Sequence, residues 1–210
     1  MHLESPAVDL VEHHMRLFGM GEFLQQGRVH FEAGEDEQIS VNARACIERG
    51  GLVVVLCPRA AFLAEISVQE AHDSCRPAGL KCAGRAGRAV NTLKTLHPYR
   101  TYTHTHGLSI IESQDGKSAW LWVPTSHGGG YLLIGTDLAG DLLRYRQGDP
   151  ALAANRPTKA RWGIPGERPN YLFEEQLRGD NVNSRHADWW VSILVEFLAD
   201  KLGERPSGIL

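Results

Sequence analysis

The sequence predicts an α/β domain in three layers: a mostly parallel or mixed sheet flanked by helices, with a β-hairpin excursion. Three observations carry that expectation. Leu52–Cys57 (LVVVLC) is an unbroken apolar, β-branched run, the pattern of a strand covered on both faces. Helical segments precede and follow it, and this alternation is the order of a doubly wound sheet. Further on, Leu108–Ser113 and Ala119–Pro124 bracket Gln114-Asp115-Gly116-Lys117, whose Asp-Gly pair is a strong hairpin signal.

The elements follow in order. Ser5-Pro6 starts a helix, with proline at its first position, and Val8, Val11, Met15 and Phe18 recur at helical spacing until Gly19 and Gly21. Gly27–Phe31 reads as a short strand. Glu35–Arg49 reads as a helix with acids near its start and Arg44 and Arg49 toward its end, as the helix dipole favours. Gly50-Gly51 stops it, the buried strand follows, and Pro58 opens the next helix. Ser74–Ile111 holds six cations and no acid, and its glycine-rich first half predicts a loop. Arg100–His106 reads as a strand before the hairpin. Ser126–Gly130 turns into an apolar strand, Tyr131–Gly135, and Thr136 or Asp137 caps a helix to Gln147. Ala151–Asn170, rich in Pro, Arg and Gly, predicts an irregular excursion. His186–Leu202 is the strongest helical pattern, with Trp189, Trp190, Ile193, Leu194, Phe197 and Leu198.

The 210 residues suffice for a single domain over 1–202 whose core needs neither disulfide nor metal, with 203–210 a linker-like tail that could lead into another domain. A formal charge of -3 argues against general nucleic-acid binding. No apolar run approaches the roughly 18 residues of a membrane span, and the amino terminus lacks the pattern of a secretory signal. The four cysteines show no paired CxxC spacing. These features predict a soluble chain in the cytoplasm, with neither nucleic acid nor membrane as partner. No cofactor fingerprint is present; Gly128-Gly129-Gly130 precedes a strand, not the helix that a dinucleotide site requires.

Three groups of residues could carry chemistry. Cys57 ends a buried strand just before a helix, a position that can expose and activate a thiol. Its base would be one of several histidines, His97 among them. His104 and His106 alternate on a predicted strand, so both imidazoles would share a face and could begin a metal site with a third ligand. Arg85 and Arg88 flank glycines in the acid-free stretch, and with Arg100 they could receive an anion or another small ligand. Against each stands a plain alternative: a buried cysteine, an exposed strand face and a solvated loop.

Glu48–Pro58 (ERGGLVVVLCP) resembles the class I glutamine amidotransferase-like fold, particularly its trehalose-utilisation (ThuA-like) branch. Gly129–Arg146 resembles the later strand-then-helix step of such domains. Tyr145–Pro150 and the Trp-rich last helix are similar in style to modules that accompany polysaccharide-processing enzymes. The resemblance puts Cys57 at the nucleophile position. The family's glycine after the nucleophile is replaced by Pro58-Arg59, and its late His-x-Glu pair is matched only by His97-Pro98-Tyr99, which lacks the acid. It therefore implies a degenerate, non-catalytic binding or interaction module. Such a module would take a carbohydrate or anionic ligand and work with an associated or covalently linked catalytic domain. The alternatives are a cysteine hydrolase or amidotransferase using Cys57 with a histidine, and a metal-assisted hydrolase around His104 and His106.

Overall fold

A computed structural model describes residues 6–17, 20–34, 38–71, 79–82, 93–94, 99–113, 115–139 and 183–203. The helices are α1 (Pro6–Leu17), α2 (Gly21–Gln25), α3 (Val41–Glu48), α4 (Ala60–Glu65) and α5 (Asn183–Leu202). The strands are β1 (Val29–Ala33), β2 (Leu52–Leu56), β3 (Gln69–Glu70), β4 (Gly79–Cys82), β5 (Leu93–Lys94), β6 (Tyr102–Thr103), β7 (Leu108–Ser113), β8 (Ser118–Pro124) and β9 (Gly130–Ile134).

All nine described strands join one sheet in the order β1-β2-β9-β8-β7-β4-β5, with β6 against β8 and β3 against β6. The first three are parallel, in register Val29↔Leu52 and Leu52↔Gly130. The strands from β9 onward pair antiparallel. The sheet is therefore mixed, and two of its three parallel strands, β2 and β9, carry no charged residue.

Apolar side chains on both faces make the sheet the middle of three layers. Leu52, Val54 and Leu56 of β2 point to one face and pack with Val11 and Met15 of α1, Phe23 of α2 and Leu194, Val195 and Leu198 of α5. Val53 and Val55 point the other way, onto Ala43, Cys46 and Ile47 of α3 and Phe62 and Leu63 of α4. Every residue of β2 and of β9 is buried, which explains why neither shows polar alternation.

Several elements differ from the sequence reading. The strand expected at Gly27–Phe31 runs Val29–Ala33. The helix expected over Glu35–Arg49 starts at Val41, because Ser40 is its cap: Ser40 Oγ accepts the Ala43 N–H at 3.1 Å. Glu32, 5% exposed, braces that cap by accepting the Ser40 N–H at 2.8 Å. Gly21 opens α2 where a break was expected. The stretch read as a loop contains β4, and Arg100–His106 supplies only the two-residue β6. The helix expected after Thr136 is described only at Leu138–Ala139, and the excursion at Ala151–Asn170 lies outside the described residues.

The arrangement of crossovers marks a switch point. The helices that follow β1 and β2 lie on the α3–α4 face, whereas Leu138, just after β9, packs on the opposite face. Chain leaving β2 and chain leaving β9 thus diverge to opposite sides of the sheet. In open α/β sheets, ligands bind outside the carboxyl ends of the strands at such a switch between neighbours. Among the described residues, no helix is long and apolar enough to cross a membrane.

Candidate functional site

Cys57 is the first residue beyond β2, at this switch point. Its φ is 48°, in the left-handed region that costs an L-residue about 1–2 kcal/mol. Surrounding bonds impose the conformation. The Cys57 N–H donates to the Ile134 carbonyl at 2.8 Å, and its thiol lies 3.3 Å from the Thr136 carbonyl oxygen. The Thr136 hydroxyl accepts the Trp120 indole N–H at 2.9 Å. On the other side of the same segment, the Arg100 N–H donates to the Gly135 carbonyl at 2.9 Å. The segment Ile134-Gly135-Thr136 therefore ties Cys57 and Arg100 to one point. Gly135 has to be glycine there, since a Cβ would overlap the Arg100 carbonyl.

Three further polar side chains collect beside Cys57. Glu70 of β3 and Tyr102 of β6 are cross-strand partners, so their side chains share a face. Arg100, two residues before Tyr102, donates from Nη1 to both Glu70 carboxylate oxygens at 3.0 Å. That pair is partly solvated, with side chains 39% and 30% exposed. Tyr102 is fully buried, and its hydroxyl has no hydrogen-bond partner among the described residues. Burial, and then the neighbouring Cys57, hold the phenol well above its usual pKa; Arg100 opposes this and Glu70 adds to it. The phenol is consequently a neutral hydroxyl at physiological pH.

The turn at Cys57 has the shape of a nucleophile elbow, in which a strained residue between strand and helix presents its side chain. Acyl transfer at such an elbow also needs backbone amides aimed at the developing oxyanion, typically the one after the nucleophile and one from a neighbouring loop. Here the next residue is Pro58, which has no N–H. The Gly34 N–H, from the loop after β1, donates to the Leu56 carbonyl at 2.9 Å, and the Arg59 N–H to the Gly34 carbonyl at 3.0 Å. A Cβ on Gly34 would overlap the Pro58 Cα, so the two turns are pressed together. The amides of Gly34, Cys57 and Arg59 are all engaged, and position 58 offers none.

Of the residues singled out from sequence, Cys57 and Arg100 come together. His104 and His106 do not lie on a strand; they sit in the turn beyond β6, where His104 Nδ1 accepts the His106 N–H at 3.1 Å. Their rings meet edge-on with centroids 6.1 Å apart. No group of three metal-ligating side chains occurs among the described residues. His127 lies at the turn into β9, the opposite end of the parallel strands from Cys57, roughly 15 Å away by strand rise. Arg85, Arg88 and His97 lie outside the described residues, as do the side chains of Trp189 and Trp190. Cys46 is a packing residue: its thiol points at the Gly27 and Leu52 carbonyls, and burial pushes its pKa up.

Glu70, Tyr102 and Thr136 were not singled out as site residues. Only Glu70 left a signal in the chain, as an acid just outside the acid-free stretch that could pair with Arg100.

No protein-family model and no curated protein matches the chain. Among solved structures, the chain is similar over 50% of its length to an exo-beta-1,4-mannosidase from Opitutaceae bacterium strain TAV5, at 11% identity and a TM-score of 0.36. It covers 20% of that enzyme's chain.

Proposed function

We propose that this chain is a non-catalytic, amidotransferase-like binding or interaction module. The observation that carries this reading is the elbow at Cys57, which keeps its left-handed backbone while its amide donors are absent or engaged. A thiol there faces a backbone carbonyl, and the amides of Gly34, Cys57 and Arg59 beside it are committed elsewhere. A fold retained without its original chemistry is common among widely used folds. The finer parts of the proposal rest on the resemblance of Glu48–Pro58 and Gly129–Arg146. They are a role in carbohydrate or polysaccharide processing, a carbohydrate or anionic ligand, an associated or covalently linked catalytic domain, and a cytoplasmic setting.

One specific observation favours the alternative of a cysteine hydrolase or amidotransferase: the positive φ at Cys57, held at the switch point of the sheet. Alkylation of the native protein with iodoacetamide across pH, followed by peptide mapping, separates the two. The module reading expects Cys57 to alkylate no faster than a free thiol, ionising at or above about 8.5, and expects no glutamine or ester hydrolysis. Rapid alkylation persisting well below that pH, with turnover abolished in Cys57→Ala, overturns it.

A further inference from the structure

We propose that the Arg100–Glu70 pair and the buried Tyr102 hydroxyl near it, beside Cys57, bind a neutral hydroxyl-rich ligand: a sugar or polyol. This inference rests on the reading of the chain as a binding module and names the ligand class of the same site.

Position is the first support. Both sides of the site are fastened to Ile134-Gly135-Thr136, at the carboxyl ends of β2 and β9 where the chain switches faces. The second is the Tyr102 hydroxyl. Buried polar side chains are nearly always hydrogen-bonded, and an exception calls for a missing water, ion or ligand. Tyr102 is 0% exposed and its hydroxyl is unpartnered among the described residues. Arg100 and Glu70, about a third exposed, lie near it and have to part to admit a ligand, because the hydroxyl itself is closed to solvent. The third is unused donor capacity. Arg100 engages Glu70 through Nη1 alone, which leaves Nη2 and Nε without a partner among the described residues.

Charge then selects the ligand class. Arg100 and Glu70 cancel, and Tyr102 is neutral. A phosphate or carboxylate drawn to Arg100 would also meet the Glu70 carboxylate, and a cation drawn to Glu70 would meet the guanidinium. A hydroxyl group suits both, because it accepts from Arg100 while donating to Glu70. A second hydroxyl on the adjacent carbon could reach the Tyr102 phenol, which both donates and accepts. Vicinal hydroxyls, the repeating feature of sugars and polyols, match this alternation of acceptor, donor and neutral hydroxyl.

The test is a two-dimensional NMR titration of the full chain with glucose, mannose, galactose and mannitol, alongside inorganic phosphate and acetate. The expected result is a saturable shift with at least one neutral probe, including the Trp120 indole N–H, which is bonded to Thr136. In Tyr102→Phe and in Glu70→Gln the affinity should fall about tenfold, as expected for losing one buried hydrogen bond. Tyr102→Phe removes only the unpartnered oxygen, so its unfolding midpoint should stay close to wild type, which keeps the comparison interpretable. The proposal is overturned if none of the neutral probes shifts the Trp120 signal. It is also overturned if phosphate or acetate alone does so, or if Tyr102→Phe binds as tightly as wild type. The alkylation profile of Cys57 decides the module reading separately, so the two can fail independently.

Discussion

Removing the Cys57 side chain in two ways tests the backbone at the centre of this site. Cys57→Ala and Cys57→Gly both delete the thiol and its contact with the Thr136 carbonyl, so they differ only by one Cβ. At φ 48° that Cβ costs alanine about 1–2 kcal/mol relative to glycine. Glycine gives back roughly 0.5–1 kcal/mol through the greater freedom of its unfolded chain. The difference predicts Cys57→Gly to be more stable than Cys57→Ala by about 0.5–1 kcal/mol. For a chain of this size that is a shift in melting temperature of roughly 2 °C, best read as paired urea midpoints with unchanged m-values. The sign is what discriminates, since at an ordinary strand or helix position alanine is favoured by a similar amount. Ser67, exposed and with φ 58°, supplies an internal reference in which Ser67→Gly should likewise exceed Ser67→Ala. If Cys57→Ala equals or exceeds Cys57→Gly while the Ser67 pair behaves as expected, residue 57 is not left-handed and the elbow geometry is refuted.

Three other outcomes follow from the same contacts. Gly34→Ala should destabilise by about 3 kcal/mol in urea unfolding, because its Cβ meets the Pro58 backbone and neither turn can yield cheaply; a loss below about 1 kcal/mol would show that the turns are not in contact. Ser40→Ala should cost about 1–2 kcal/mol, since it removes the α3 cap and a hydroxyl partner of the buried Glu32, whereas Ser40→Asn should recover part of the cap but not the Glu32 contact. His30 provides a pH dependence: burial lowers its pKa below 6.5, with Glu12 only partly opposing. The unfolded chain therefore takes up a proton that the folded chain resists, so stability is intact above about pH 6.5 and falls as pH drops through it. His30→Gln should flatten the change in urea midpoint between about pH 7.5 and about pH 5.5, and an unaltered slope would exclude His30 as its source.

Elements whose stability comes from their own side-chain pattern were legible in the sequence. The run Leu52–Leu56 could only be a strand covered on both faces, and Asp115-Gly116 fixes the β7–β8 hairpin, where Gly116 has φ 79°. The last helix could be read from its apolar stripe. Elements made by pairing were not legible. β4 lies along β7 through Leu80↔Ser113 and Cys82↔Ile111, and no local pattern in Gly79–Cys82 distinguishes it from a loop. The acids at Glu35–Glu37 looked like the first turn of α3, but acid enrichment marks a neighbourhood and not a boundary. Ser40 sets the boundary, and Glu32, eight residues earlier on β1, holds Ser40 in place.

The site divides along the same line. Cys57 was visible because strand end, cysteine and proline are adjacent in the chain, and Pro58 already indicated the missing amide. What the chain could not show is that Gly34 and Arg59 use each other's neighbourhood to engage the remaining donors, since that depends on how closely β1 and β2 end. Nor could it show the group proposed to face a ligand. Arg100 and Glu70 are 30 residues apart, and Tyr102 becomes an interior hydroxyl only because β3 and β6 pair. In the proposed site the parallel strands would fix where a ligand sits, through a topology many sequences share. The two-residue strands β3 and β6, among the least legible in the sheet, would fix which ligand fits. Substitutions that break the β3–β6 pairing should therefore alter binding before they alter the fold, whereas substitutions in β2 or β9 should do the reverse.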